Sequence, residues 1–317
     1  METRSTTIEV STPFSLKAVA LSHGWHECSP MNWSEGGKCL QVIRRNGADP
    51  YRVSIVEGER RRDRVTLRVA VDAKRVDTAV VRRVRRDVPV MLELDADLTE
   101  FYEICRRHHT LHVLERIGAG RFVRSVSMFE NVVKALCATN VNWTQAVKMI
   151  NRIGQLGPIV PHFRNLTAWP TPREILRAGE AYLNGVCRLG YRTESVLEFC
   201  RDVCAGGVDP ESLNELAADP TVETEELLKR LRAIRGIGPS SAHYLLSFLG
   251  RHESLSIDSA TFAHVAATRT NGKRPTLKQI ERIYAPYGRW KNKVCWFENW
   301  IRWGTARGLL RAAKLMD

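Results

Sequence analysis

No run of about 18 to 20 apolar residues, the length needed to cross a bilayer, occurs in the 317 residues. The opening METRSTTIEVST also lacks the apolar centre of a secretory signal. The expectation is a soluble, unexported cytoplasmic protein, associated with the nucleoid in a bacterium or with the nucleus in a eukaryote. The eight cysteines are scattered, and a chain this long can hold a core without staples, so reduced thiols are expected. Cys200 and Cys204 lie one helical turn apart, yet no second pair or spaced histidine completes a zinc set; apolar packing is the expectation there. Internal repeats and low-complexity tracts are missing too, which sets aside solenoids and collagens. Acidic residues are few relative to basic ones: 35 Asp and Glu stand against 48 Lys and Arg, a formal net charge of +13. That balance suits a polyanion partner, with nucleic acid ahead of an anionic membrane surface.

What is present reads as α+β. Tyr51, Val53 and Ile55 alternate with polar neighbours, and Val65, Leu67, Val69 and Val71 do the same, which predicts a hairpin joined by the charged segment Glu57 to Arg64. SLKAVALSHG and KCLQVIRRNG suggest two further strands, and AKRVDTAVVRRVRRDV suggests a basic amphipathic helix. Its Arg82, Arg83, Arg85 and Arg86 surround too much of the helix for one docking stripe, so a solvated face is preferred over a DNA footprint. From Asp97 the pattern changes to helices punctuated by Pro and Gly. Phe129, Val132, Val133, Leu136 and Cys137 form one apolar stripe; Leu227, Leu228, Leu231 and Ile234 form another. GQLGPIVPHF, WPTPREIL and VCAGGVDPESL read as turns or helix starts. The division is a small antiparallel sheet with a helix over residues 1–96 and an all-helical part over 97–317.

The most informative segment is LRAIRGIGPSSAHYLLSFLG, residues 231–250. One helix ends at Ile234, a Gly-Ile-Gly turn follows, and Pro239 opens a second helix. Gly236 and Gly238 leave no Cβ in the way of the amides that start that helix, which can then face an anion. An ordinary helical hairpin is the alternative. Asp258, in IDSATF, lies twenty residues beyond Gly238; by itself it could be a helix N-cap.

The pairing of LxxIxGIGPxxA with a downstream Asp resembles the helix-hairpin-helix DNA glycosylases, the superfamily that includes 3-methyladenine glycosylase II, 8-oxoguanine glycosylase and endonuclease III. The resemblance implies a TBP-like N-terminal sheet, a hairpin that grips a DNA phosphate through Gly236 and Gly238, and Asp258 as the catalytic carboxylate. SMFENVVKALCATNVNW is similar to the family helix whose following loop enters DNA, here with Asn140 and Asn142. LGYR is similar to the 8-oxoguanine glycosylase segment whose Tyr wedges the duplex and whose Arg reads the orphaned base, here Tyr191 and Arg192. Tyr244, Tyr287 and Ser240 fall at base-pocket positions, although aromatics at helical spacing also serve as core, the reading given to Trp290, Trp296 and Trp300. Lys273 and Arg274 are phosphate candidates in the TRTNGKRPT loop. The family hairpin also implies a monovalent cation on the carbonyls of Arg232, Ile234 and Gly236, with no side-chain metal site.

Departures narrow the expectation. Ser240 stands where lyase-competent relatives carry a catalytic lysine, so no Schiff base can form from that position. Only Cys295 follows Asp258, which excludes the four-cysteine iron–sulfur cluster of the endonuclease III branch; no cofactor is expected. Gln145 replaces a second arginine used against orphan cytosine. The leading expectation is a monomeric, monofunctional glycosylase of alkylated purines in double-stranded DNA. The alternatives are an oxidised-purine enzyme without lyase activity and a non-catalytic DNA-binding protein.

Overall fold

Tyr51, Val53, Ile55, Val65, Leu67, Val69 and Val71 are all buried, as their alternation requires if they share one face of a sheet. The computed structural model describes residues 1–160 and 163–306. Its main sheet is antiparallel, with β1 (Glu2–Ser11), β2 (Met31–Ser34), β3 (Cys39–Asn46), β4 (Asp49–Arg60) and β5 (Arg64–Ala73) in the order β1-β5-β4-β3-β2. The β4–β5 register sets Val53 against Val71 and Ile55 against Val69, so β-branched pairs build the inner face.

Helices follow in chain order. They are α1 (Leu16–Ala20), α2 (Thr78–Met91), α3 (Thr99–Arg107), α4 (Val113–Arg116), α5 (Met128–Ala138) and α6 (Trp143–Gly154). After them come α7 (Pro172–Gly185), α8 (Arg192–Ala205), α9 (Ser212–Ala218), α10 (Thr224–Ala233) and α11 (Pro239–Phe248). The last three are α12 (Ser259–Arg269), α13 (Leu277–Tyr284) and α14 (Lys291–Ala306). The basic helix expected from the sequence is α2, capped by Asp77 and buried through Val80, Val84, Val88 and Met91, spacings of four and three that keep to one side. WPTPREIL opens α7 through a reciprocal cap between Thr171 and Glu174.

Three expectations change. SLKAVALSHG, taken for a strand, contains α1: Ser15 caps it by accepting the Ala18 amide, and leucine, lysine and alanine favour helix. The edge strands β1 and β2 were not foreseen, since β1 is largely exposed and its polar Ser and Thr residues blur the alternation. The part beyond residue 96 is not wholly helical. β6 (Ile159–Val160) and β7 (Phe163–Thr167) pair there, in a segment expected to be a turn or helix start. Val160, Phe163, Leu166 and Ala168 gather against Ile43 on the outer side of the main sheet. The Arg52 guanidinium lies 3.4 Å from the centre of the Phe163 ring, a cation–π contact that anchors the small ribbon.

The chain divides into two compact units: Met1–Asp95 with Arg121–Ser212 and Ile234–Gly236, and Ala96–Gly120 with Leu213–Ala233 and Ile237–Asp317. The first holds the sheet, the ribbon and helices α1, α2 and α5 to α8. Helix α5 is buried nearly all round, beyond the single stripe its sequence suggests, and carries the buried ion pair Glu130–Lys134 at 2.7 Å. The second unit holds α3, α4 and the helices from α9 onward. Its core gathers Phe101 with Trp290 and Phe297, at ring separations of 5.7 and 6.0 Å. Trp290 and Trp300 are buried as expected.

Candidate active site and nucleic-acid interface

Helices α10 and α11 form the expected hairpin, joined through Gly-Ile-Gly. Gly236 has a φ of +87°, and a Cβ there would meet Ser195 Oγ at 2.7 Å and a Leu136 methyl at 2.9 Å. Both conformation and space therefore demand glycine. Gly238 is the N-cap of α11, with no side chain to satisfy the first amides and open space where a Cβ would stand. The exposed start of α11 thus offers unfilled donors and the positive end of the helix dipole to an anion. Among the described residues no group of three His, Cys, Asp or Glu could hold a metal. A cation at the turn would rest on the backbone carbonyls of Arg232, Ile234 and Gly236 alone.

Asp258 caps α12. Its Oδ1 accepts hydrogen bonds from the Thr261 amide at 2.8 Å and the Thr261 hydroxyl at 2.9 Å. The side chain is exposed, and Oδ2 has no hydrogen-bond partner among the described residues. The carboxylate is therefore oriented by one oxygen and presented by the other. Ser240, on the first turn of α11, donates to the Ile257 carbonyl at 2.8 Å, and Ser256 donates back to the Ser240 carbonyl at 3.2 Å. The residue in the lysine position thus braces the loop that carries Asp258. Asn292 completes the brace: buried at the start of α14, it accepts the Ser256 amide at 2.8 Å and donates to Ser247 Oγ at 2.7 Å. Sequence reasoning missed Thr261 and Asn292. Thr261 was legible as the third residue after a cap; Asn292 had no local signal.

Tyr244, half-buried on α11, packs edge-on against Phe248 at 4.9 Å and tilted against Trp296 at 6.1 Å. Tyr287 is half-buried beside His108, with ring centres 5.8 Å apart, and burial raises its hydroxyl pKa. Both rings are partly exposed. Lys273 and Arg274 are exposed in the loop turned by Asn271 and Gly272, both with positive φ, and the Arg274 guanidinium lies 4.7 Å over Phe262.

In the other unit, two segments far apart in sequence meet. Asn140, in left-handed conformation at φ 47°, donates to the Tyr191 hydroxyl at 3.4 Å. Tyr191 donates to the Thr139 carbonyl at 3.3 Å and leaves its ring 65% exposed. The side chain of Thr139 foremost, then that of Asn140 and the charge of Arg192, lower the Tyr191 pKa against the effect of burial. Asn142 is the N-cap of α6, its Oδ1 accepting the Gln145 amide at 3.0 Å, so its side chain has a structural task.

Arg192, expected to read the orphaned base, is directed inward. It is 8% exposed, and its guanidinium donates to the carbonyls of Leu189 at 3.1 Å, Thr139 at 3.0 Å and Asn140 at 3.4 Å, with a second, shorter bond to Thr139. Its planar fork is spent on shaping the loop that bears Asn140. The exposed Tyr191 remains.

No family model matches the chain. Over 210 residues, covering 65% of this chain and 67% of the relative, it is 23% identical to the DNA-3-methyladenine glycosylase of Bacillus subtilis (strain 168). The structure is similar to that of the 3-methyladenine DNA-glycosylase from Archaeoglobus fulgidus, with a TM-score of 0.74 and 20% identity, covering 94% of this chain and 98% of that one. It is also similar to the Clostridium acetobutylicum 8-oxoguanine glycosylase/lyase in complex with double-stranded DNA containing cytosine opposite 8-oxoguanine. There the TM-score is 0.69 at 14% identity, covering 96% and 98%. The chain thus shares its fold with a 3-methyladenine DNA-glycosylase and with an 8-oxoguanine glycosylase/lyase.

Proposed function

We propose that this protein is a base-excision DNA glycosylase, a monofunctional one that hydrolyses the N-glycosidic bond of alkylated purines in duplex DNA. The observation that carries the reading is Asp258: an exposed carboxylate held by one oxygen at the head of α12, just beyond the hairpin, with the other oxygen open. As the base leaves, positive charge builds on the sugar, and a fixed carboxylate stabilises that state more than the ground state. The same group orients the attacking water. Ser240 offers no amine, so water is the nucleophile. The open start of α11 takes a DNA phosphate, Lys273 and Arg274 take others, and Tyr244 and Tyr287 supply electron-rich faces on which an electron-poor purine stacks. In this reading the partner is double-stranded DNA, the protein acts as a monomer, and the carbonyls of Arg232, Ile234 and Gly236 hold the monovalent cation. Among the described residues no helix is long and apolar enough to cross a membrane.

Borohydride treatment during turnover is expected to trap no protein–DNA adduct, and the product is expected to be an intact abasic site. A trapped adduct would move the protein to the lyase branch. The Asn140–Tyr191 pair supports a second reading, excision of an oxidised purine without lyase action, because it sets an exposed ring on a loop like the wedge of 8-oxoguanine enzymes. In either reading Tyr191 fills the space the flipped base leaves. Tyr191→Ala should slow excision from a stable base pair about ten-fold more than from a mismatch, where less unstacking has to be offset. A tyrosine of purely structural use would slow both alike.

A further inference from the structure

Glu298, on α14, is 1% exposed and has four polar side chains around its carboxylate. His108 Nε2 stands 3.1 Å from Oε1, which Arg269 also contacts closely. The Tyr284 hydroxyl donates to Oε2 at 2.6 Å, and His264 Nε2 lies 3.3 Å from the same oxygen. His108 has its tautomer set from behind, since Nδ1 accepts the amides of Thr110 at 3.2 Å and Leu111 at 3.3 Å, which leaves the proton on the Nε2 that faces Glu298. Burial pushes the Glu298 pKa up, but the hydrogen bonds of His108, His264 and Tyr284 and the charge of Arg269 outweigh it and hold the carboxyl well below the usual range.

Two routes lead from this carboxylate to the residues of the candidate site. His264 and Arg269 both belong to α12, the helix that Asp258 caps. Thr261, on the same helix, donates its amide and its hydroxyl to Asp258 Oδ1. On the other side, the His108 and Tyr284 rings flank Tyr287 at 5.8 and 6.3 Å. A buried ionised cluster is a poor way to gain stability, because apolar residues of similar volume do as well or better. What it gives is a single geometry, with the two carboxylate oxygens faced by side chains from α12, from α13 and from the segment between α3 and α4.

We propose that Glu298 is a positioning residue: it fixes α12, and with it Asp258, against the reacting sugar, and through His108 it sets Tyr287. This inference rests on the glycosylase reading. Being buried, Glu298 touches no substrate and acts only through those neighbours.

The test compares the affinity of the intact protein for two duplexes, one with a pyrrolidine, a cationic mimic of the sugar at the transition state, and one with an uncharged tetrahydrofuran in the same place. Wild type is expected to prefer the cationic duplex and Asp258→Asn to lose that preference. Glu298→Gln should reduce the preference about ten-fold, because a carboxylate displaced by even an ångström loses most of its directed effect, while tetrahydrofuran affinity stays the same. Tyr284→Phe deletes one hydroxyl from the cluster and keeps the ring, so it should give a smaller reduction of the same kind and serves if Glu298→Gln does not fold. A wild-type preference in both variants overturns the proposal, since a general loss of structure would weaken both duplexes equally. If wild type excises bases yet either variant keeps the preference, the positioning role alone falls. If wild type shows no preference and releases no base, both readings fall.

Discussion

Asp258→Asn is expected to cut the rate of base release about 100- to 1,000-fold, the cost of removing one fixed electrostatic partner from a transition state. Duplex affinity should change less than about two-fold, because the carboxylate acts on a sugar charge that the ground state does not yet carry. Asparagine caps a helix as well as aspartate does, so the bond from the Thr261 amide to Oδ1 is kept and the thermal midpoint should hardly move. Asp258→Ala separates the two functions: it should lose the same activity and in addition about 1 kcal/mol of stability with the cap. Single-turnover release of free base, read beside thermal melts of both variants, checks this. If Asp258→Asn retains near wild-type turnover, Asp258 is a cap and nothing more.

The second large effect falls on stability. Arg192→Ala should cost about 2 to 4 kcal/mol, because it strands the carbonyls of Thr139, Leu189 and Asn140 that a charged donor satisfies in the interior. Lysine should not restore it, as a point charge cannot replace a planar fork that reaches three carbonyls. With the loop at Asn140 loosened, excision should fall for every pairing alike, and the profile over opposite bases should keep its shape at fixed salt. Had Arg192 read the orphaned base, its loss would instead flatten that profile by about 1 to 3 kcal/mol. Denaturant melts of Arg192→Ala and Arg192→Lys, with excision measured opposite each of the four bases, separate the two.

The same residue shows where the sequence stops being legible. LGYR announced a functional turn, but nothing in it tells which side chain faces outward. That depends on Thr139 and Leu189 meeting across fifty residues of chain, and the meeting turned Arg192 inward and left Tyr191 exposed. Asp258 was legible as the cap of α12 because a polar cap residue directly precedes a helical run, and the hairpin turn because it admits no side chain at Gly236. The β4–β5 hairpin was legible for a similar reason, a period of two carried by β-branched residues. α1 was not, since five residues give too short a window to separate helix from strand, and the β6–β7 ribbon was hidden by prolines that read as punctuation. The Glu298 cluster was beyond sequence reasoning altogether. Its members come from three separate parts of the chain, His108, then His264 and Arg269 on α12, then Tyr284 on α13, and each by itself reads as an ordinary polar residue of a helical region.

On the proposed function a damaged base is released and the DNA strand is left whole. The measurement that bears on it most directly is mass-spectrometric detection of free base from duplexes carrying 3-methyladenine, 7-methylguanine, hypoxanthine or 8-oxoguanine, with strand integrity read on the same samples. Wild type is expected to give free alkylated purine and an unbroken strand with an abasic site, and Asp258→Asn at least about 100-fold less free base. Tight binding to these duplexes with no base released from any of them would contradict it.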